Sequence, residues 1–365
     1  MERWLGAHIS GDPGRVHTEG RTARAVVEDA REAVADLVGA RPREVVFTSG
    51  ATEAANAAAW GAVRAAPDGA AVLCADVEHS AVRDGSARLA PVVVLPVDRQ
   101  GRIDPEGALE AGARAQREHN GVAVVHCQWA NHEVGTLQPV AELVEVAHRL
   151  GALAHVDAAV AVGHVPVDFS ASGADLMSVS AHKLGGPPGI GALLVRRGLR
   201  LESFVVGGDQ ERARRAGFEN VPAAAGFGAA ARILRGGGGR GGGALAGESE
   251  RARLQTDRVL EAVDGVNGTE GYGDRSRRVP HIACFGVSGV EAEAVVLGLD
   301  GAGIAVHSGS ACSSESLEPS PVLVAMGVDA ERSIRVSVGW STGDADVDAL
   351  AETLPRVVEG LRSLR

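Results

Sequence analysis

A single lysine marks the first stretch of the chain with residue types suited to chemistry. An apolar, strand-like run begins at Asp175 and ends in Ser180-Ala181-His182-Lys183, followed by Gly and Pro, and the 365 residues hold no other lysine. A partly desolvated lysine can lose its proton, as arginine cannot, and the neutral amine can form a Schiff base with a carbonyl ligand. The alternative is a surface lysine in a turn of a chain that otherwise uses arginine. Lys183 alone does not decide between them.

The four cysteines divide into two kinds. Cys74, Cys127 and Cys284 lie within or beside predicted strands and are expected to be packing residues. Cys312 lies instead in His307–Ser316, a run of small residues that holds one cysteine. The four are far apart and form no CxxC pair, so we expect neither a metal site nor a disulfide framework.

Composition and charge exclude several classes of protein. The formal net charge of −11 argues against a general nucleic-acid binder and against binding to an anionic membrane surface. No apolar run reaches the length of a membrane span, and the N-terminus carries no signal-peptide pattern. Together with cysteines that suggest no disulfides, these features favour a reducing cytoplasm.

Polar residues collect where predicted strands end, and helices alternate with those strands. The clusters lie at 49–53, 78–80, 131–133, 157 and 180–183. In an α/β protein the carboxyl ends of the strands form the ligand-binding edge, so this succession indicates an enzyme site on a mostly parallel sheet. The turn at 49–53 joins a strand to a helix start, which is a ready anion site, although an ordinary βα turn has the same pattern.

The order of predicted elements divides the chain into four parts. Residues 1–17 form an irregular N-terminal segment, and 18–235 form a large domain that begins with a helix at Thr18. Residues 236–247 contain GGGGRGGG and are predicted to be a linker. Residues 248–365 are predicted to form a smaller α+β domain, in which 303–306 is a strand.

Six motifs occur in a characteristic order. They are FTSGATE at 47–53, EHSAV at 78–82, HVDA at 155–158, SAHK at 180–183, QER at 210–212 and SGSACSS at 308–314. The chain thereby resembles the cysteine desulfurases of the NifS/IscS type, which are pyridoxal 5′-phosphate enzymes of the class V aminotransferase group. The resemblance runs from about Gly11 onward. It implies fold type I, in which a large domain with a mostly parallel, seven-stranded sheet precedes a small α+β C-terminal domain.

The resemblance also implies how the cofactor is held. Lys183 would form the Schiff base and move the α-proton, Asp157 would pair with the pyridine nitrogen, and His79 would stack on the ring and take part in proton transfer. The phosphate would be held by a further set of residues, namely Ala51, Thr52, Ser180 and His182.

The remaining roles concern the substrate and its sulfur. The resemblance implies that Arg335 binds the substrate carboxylate by a bidentate contact, with Asn131 as a second substrate-binding residue. Cys312 would be the nucleophile that takes the sulfur of L-cysteine as a persulfide and leaves L-alanine. The partners implied are a sulfur-acceptor or iron–sulfur scaffold protein and a second copy of the chain in a homodimer.

The chain departs from the family pattern at four places. The family's opening segment is expected to be absent, since residues 11–14 stand where a later Asn-Pro-Ser-Ser is usual. His132 replaces an Asn and Val160 replaces a Gln, both of which contact the cofactor's ring hydroxyl in the family. Phe218 replaces a Thr that reaches the phosphate of the neighbouring subunit. We expect the cofactor to bind, with His132 as the replacement for the lost ring-hydroxyl donor.

These departures keep two alternatives open. The first is a specialised pyridoxal-phosphate lyase, or a dedicated sulfur donor in a biosynthetic pathway. The second is a degenerate paralogue without turnover, which Phe218 and the missing opening segment favour. The retained Lys183 and Cys312 loop argue against the second alternative and for a cysteine desulfurase.

Overall fold

The computed structural model describes Met1, Gly6 and residues 11–236, 243–308 and 319–364, without the side chains of residues 243 and 244. Two compact units divide these residues. The first consists of Met1–Leu95, Pro105–Trp129 and Pro139–Leu245, and the second of Pro96–Asp104, Ala130–Gln138 and Ala246–Arg365. Within the described ranges, no helix is both long enough and apolar enough to cross a membrane. The predicted domain bounds of 18–235 and 248–365 stay a prediction.

The first unit is built on a seven-stranded sheet, as predicted. Its strands run in the order β1-β7-β6-β5-β4-β2-β3, with parallel pairings from β3 through β6. The β7 strand is antiparallel to both neighbours, so β1 points the same way as the parallel strands. The bounds are β1 (Val45–Thr48), β2 (Ala71–Ala75), β3 (Val92–Leu95), β4 (Val122–Gln128), β5 (Leu153–Asp157), β6 (Leu176–Ser180) and β7 (Gly191–Val195).

Helices surround this sheet. The first helix buries Ala23, Val27, Ala30 and Val34 at helical spacing. It packs closely on the helix Val221–Arg235. A Cβ built on Gly228 of that helix would lie 2.6 Å from the Cα of Ala30. The helices are α1 (Thr18–Leu37), α2 (Ala51–Ala65), α3 (Ser80–Ala87), α4 (Pro105–Glu118), α5 (Val140–Arg149), α6 (Phe169–Ser172), the short turn α7 (Gln210–Ala213) and α8 (Val221–Arg235).

The second unit is an α+β body around a four-stranded antiparallel sheet of order β10-β11-β9-β8. The Thr136 hydroxyl donates to the Gln100 carbonyl and accepts from the Asp274 N–H, which ties three segments of this unit together. The elements are α9 (Gly243–Asp264), β8 (Thr269–Tyr272), β9 (Ile282–Val287), α10 (Ala292–Asp300), β10 (His307–Ser308), α11 (Pro321–Ala325), β11 (Ser333–Ser337) and α12 (Asp344–Ser363).

The structure differs from two predictions in this part of the chain, the strand at 303–306 and the full length of the linker at 236–247. The predicted strand at 303–306 is wrong, because the N–H groups of Ala302, Gly303 and Ile304 bond back to carbonyls of α10 and close that helix. The strand begins only at His307. Residues 237–242 of the predicted linker lie outside the described residues, and the helix that follows begins at Gly243.

A buried line of four polar side chains ties α3 to the middle of the large sheet. His126 and His155 face each other in register, with 2.8 Å between their Nδ1 atoms. His126 Nε2 lies 3.2 Å from the Ser86 hydroxyl and His155 Nε2 lies 2.8 Å from the Ser178 hydroxyl. Burial lowers the pKa of His126 to about 3 and that of His155 well below its usual value. Both rings are therefore neutral at neutral pH, and the line stabilises α3 without a buried charge.

The turn α7 is left-handed. Glu211, Arg212 and Ala213 have φ angles of 48°, 59° and 60°, a region that costs roughly 1–2 kcal/mol per residue for side chains other than glycine. Glu211 compensates this cost, because its carboxylate accepts both Arg31 Nη atoms at 2.6 and 2.9 Å and the Phe47 N–H at 3.0 Å. This buried ion pair holds the turn α7 against α1 and β1.

Ala213→Gly is expected to stabilise the protein, because glycine adopts positive φ at little cost. We expect a gain of about 1 kcal/mol in the free energy of unfolding, measured by urea denaturation. The matched control is Ala229→Gly on an exposed position of α8, which should cost about 0.5–1 kcal/mol. A loss of stability in both variants would contradict the assignment of strain to Ala213.

Candidate active site

The turn between β1 and α2 presents free backbone N–H groups at the carboxyl edge of the sheet. The helix begins at Ala51, directly after Gly50, so the N–H groups of its first turn point out of the helix. A Cβ built on Gly50 would meet no atom within 4 Å, whereas one on Gly191 would lie 2.7 Å from the Gly50 carbonyl carbon. The turn is thus packed closely against β7 on one side and open in front. This arrangement suits an anionic group at Ala51 and Thr52.

The end of β6 lies at the same edge of the sheet. Ser180 is buried, and its hydroxyl lies 2.8 Å from His182 Nδ1. The chain then makes a tight turn at His182–Leu184, where Lys183 is exposed and its carbonyl oxygen lies 2.9 Å from His164 Nε2. Partial burial and the charge of Lys183 lower the pKa of His182.

Asp157 ends the neighbouring strand β5. Its Oδ1 accepts the Ala159 N–H at 3.0 Å. Burial raises the pKa of Asp157, against the opposing effects of that hydrogen bond, of His79 and of Lys183. The carboxylate therefore lies within electrostatic reach of both an imidazole and the single lysine.

His79 begins α3 and is held in one tautomer. Its Nδ1 accepts the Ala81 N–H at 3.0 Å, so in the neutral ring the proton resides on Nε2. Burial lowers the pKa of His79, and Lys183 lowers it further while Asp157 raises it. The first unit thus brings together the predicted residues at strand ends β1, β5 and β6 and at the start of α3.

Sequence reasoning missed an ion pair that fixes the β1–α2 turn. Arg215 Nε and Nη2 donate to Glu53 at 2.8 and 3.2 Å, and the same carboxylate accepts the Ser49 N–H at 2.8 Å. Burial works to raise the pKa of Glu53, but the hydrogen bonds from Arg215 and Ser49 outweigh it and the pKa is lowered. The sequence carries only a weak indication of this ion pair, because the acidic residue in the first turn of α2 and the arginine-rich loop are 162 residues apart.

The second unit holds the other predicted residues. Asn131 is buried, and its Oδ1 accepts the N–H groups of Glu133 and Val134 at 2.9 and 2.8 Å. This side-chain oxygen therefore shapes the turn that presents His132. Arg335 Nη1 donates to the His132 carbonyl at 3.1 Å. Arg335 Nε is buried without a hydrogen-bond partner among the described residues, which suits a further oxygen ligand.

The cysteines separate by environment. Cys74, Cys127 and Cys284 are free and buried, and burial raises the pKa of all three, that of Cys284 to about 12. They are neutral thiols at neutral pH and poor nucleophiles. Cys312 lies outside the described residues.

The positions that depart from the family pattern lie in both units. Val160 follows β5 in the first unit and is half-buried, and Phe218 lies before α8 with 66% of its surface exposed. The His132 side chain in the second unit is largely buried, and its Nε2 lies 3.6 Å from Glu133.

Comparison with known proteins places the chain in a family. The model of the aminotransferase class-V family matches residues 3–350. The chain is 42% identical to the IscS-like cysteine desulfurase of Mycobacterium tuberculosis, over 96% of this chain and 90% of the relative.

Solved structures agree. The apo cysteine desulfurase of Thermococcus onnurineus NA1 superposes with a TM-score of 0.84 at 25% identity, covering 98% of this chain and 90% of that one. SspA in complex with cysteine superposes with a TM-score of 0.78 at 26% identity, covering 92% and 93%. The chain therefore belongs to the class-V aminotransferase family and, within it, to the cysteine desulfurases.

Proposed function

We propose that this cysteine desulfurase holds pyridoxal 5′-phosphate in its first unit, on Lys183, and moves the sulfur of L-cysteine through Cys312 to an acceptor protein. The observation that carries the proposal is the position of the chain's single lysine. Lys183 follows β6 and acts electrostatically on Asp157, His79 and His182. When bound, the cofactor supplies an electron sink for the bonds at the substrate's α-carbon.

The residues of the first unit fit this cofactor. Its phosphate is an anion, and the open space before Gly50 is faced by the N-terminus of α2. Ser180 and His182 add a hydroxyl and an imidazole at the end of the neighbouring β6 strand. Asp157 would hold a proton on the pyridine nitrogen, and the neutral His79 ring would lie on the face of the cofactor.

Lys183 and Arg335 act on the substrate. The Lys183 amine takes the proton from the α-carbon and returns it. Arg335 binds the carboxylate, because a guanidinium donates two parallel hydrogen bonds to it and the buried Nε has no other partner among the described residues. Asn131 supports this by shaping the turn whose carbonyl at His132 accepts from Arg335.

Cys312 takes the sulfur. Its thiolate attacks the sulfur of the substrate, so that an S–S bond forms while the C–S bond breaks, and the carbon takes up a proton to give L-alanine. The other three thiols are buried with raised pKa values, which supports the choice of Cys312. The free thiols also support a reducing cytoplasm.

A second copy of the chain and an acceptor protein complete the proposal. Val206 and Phe218 expose 78% and 66% of their surfaces near the loop that carries Arg215, and such apolar exposure supports a homodimer that covers them. The acceptor is an iron–sulfur scaffold or another sulfur carrier.

Reduction with borohydride should fix the cofactor to one peptide, the one that contains Lys183, because the chain offers no other side-chain amine. Lys183→Ala should bind the cofactor without fixing it, as judged by absorbance and peptide mass. Lys183→Arg is the control that keeps the charge and should also fail to be labelled. Fixation of the cofactor in either variant would contradict the role of Lys183.

Cys312→Ala should stop sulfur transfer and alanine release while leaving the cofactor's absorbance intact, because the thiol acts on the substrate and not on the cofactor. The matched control is Cys127→Ala, which removes a buried thiol and should keep activity. Alanine production is measured in the presence of a reductant. Wild-type turnover in Cys312→Ala would assign the nucleophile elsewhere.

Arg215→Gln should weaken cofactor binding about tenfold, because losing a charge-assisted hydrogen bond costs about 1.5 kcal/mol and frees the turn at Glu53. The dissociation constant is measured by fluorescence titration of apoenzyme. The control is Arg214→Gln in the same loop, whose side chain donates instead to the Arg43 carbonyl. Equal affinities in the two variants would contradict a positioning role for Arg215.

A further inference from the structure

Glu78 is a buried carboxyl group to which the proposed reaction assigns no role. It directly precedes His79, and only 1% of its surface is exposed. Its Oε1 accepts the Gln128 N–H at 2.6 Å. Its Oε2 is buried and has no hydrogen-bond partner in the part of the chain that the structure describes. A carboxylate in such a place would leave one charged oxygen without compensation, which is costly.

The group lies beside the carboxyl that the cofactor site needs. Gln128, which donates to Glu78, pairs in register with Asp157 on the adjacent strand, and the Trp129 N–H donates to the Asp157 carbonyl at 2.7 Å. Glu78 is buried and Asp157 is half-buried. Two carboxyl groups so placed disfavour each other's charge, so one of them tends to keep its proton.

The surrounding charges decide which carboxyl ionises first. Asp157 accepts the Ala159 N–H and faces His79 and Lys183, all of which favour its charged form. Glu78 has one backbone N–H and the more modest effect of Arg83.

In the part of the chain that the structure describes, two thiols also face Glu78. Cys74 lies on β2 and Cys127 on β4, and burial raises the pKa of both. They are neutral at neutral pH and cannot compensate a charge on Glu78. Of the two carboxyl groups, Glu78 and Asp157, the second is thus the better site for a single negative charge.

We infer that Glu78 is the proton-bearing partner of Asp157: it stays a neutral carboxylic acid in the folded protein and leaves the negative charge of the pair on Asp157. Glu78 is a positioning residue, since it acts through Asp157. Its use in catalysis rests on the proposed function, because the charge of Asp157 serves the pyridine nitrogen. The protonation state itself rests on this chain alone.

A pH dependence follows. Burial, with Asp157 as the second cause, raises the pKa of Glu78 to about 8 from its usual 4.5. The folded state therefore binds more protons than the unfolded state between these values. The stability that this proton contributes is fully present below about pH 4.5 and is lost as the pH rises through about 8.

The test is infrared spectroscopy of the full-length holoenzyme grown with glutamate labelled by ¹³C at the side-chain carboxyl. The neutral acid has a carbonyl stretch that a carboxylate lacks. At pH 6.5 we expect one isotope-shifted band of a protonated glutamate in wild type, absent in Glu78→Gln and retained in Asp84→Asn. The last variant makes the same carboxyl-to-amide change at an exposed position of α3.

Wild type alone also decides the question if Glu78→Gln fails to fold. The band should disappear with a midpoint near pH 8. A midpoint near the ordinary pKa, no band at pH 6.5, or a band that survives in folded Glu78→Gln would overturn the inference. None of these outcomes affects cofactor fixation at Lys183, so failure of this inference is distinguishable from failure of the proposed function.

Discussion

A buried bidentate ion pair between Arg31 and Glu211 holds together the parts of the first unit on which its site depends. Arg31 Nη1 also donates to the Val45 carbonyl at 2.9 Å, and Glu211 accepts the Phe47 N–H. Each partner of the ion pair is therefore also hydrogen-bonded to the backbone of β1. Removing one partner of such a pair costs about 3–5 kcal/mol, since the other charge is left buried. That is comparable to the cost of keeping three residues in left-handed backbone, roughly 3–6 kcal/mol in sum, so the ion pair offsets most of the strain in the turn α7. Through Arg215 and Glu53 the same loop sets the position of the β1–α2 turn.

The charges near the strand ends follow a consistent division. Groups in the sheet interior, such as His126, His155 and Cys127, are kept neutral by burial. Charge is reserved for the edge, where Asp157 and Lys183 lie within electrostatic reach of each other. The protein thereby spends little on desolvation inside the sheet and concentrates its electrostatic effects where a charged ligand would lie.

The sequence predicted this edge well, because strand ends and small-residue turns are local patterns. It predicted the positions of Asp157, Ser180 and Lys183 and six of the seven strands of the large sheet, while the number seven came from the family resemblance. It did not resolve β7, whose apolar run directly follows the glycine-rich turn after Lys183, or α3, whose residues Gly85 and Ser86 weaken a helical pattern. Interactions between distant positions left no such trace. Arg215 meets Glu53 only after folding, and the hydrogen bonds that occupy the Asn131 oxygen come from the backbone of its own turn, which a motif does not reveal.

The lone lysine has a consequence for how the protein behaves among reactive aldehydes. Sugars, lipid-derived aldehydes and excess cofactor all condense with side-chain amines, and a protein with many lysines accumulates such adducts over its surface. Here every other basic side chain is a guanidinium or an imidazole, and a guanidinium stays protonated in proteins and is a poor nucleophile. Carbonyl chemistry on the side chains of this protein is therefore directed to one amine, at the end of β6, so selectivity for that position is built into the amino-acid composition as well as into the fold.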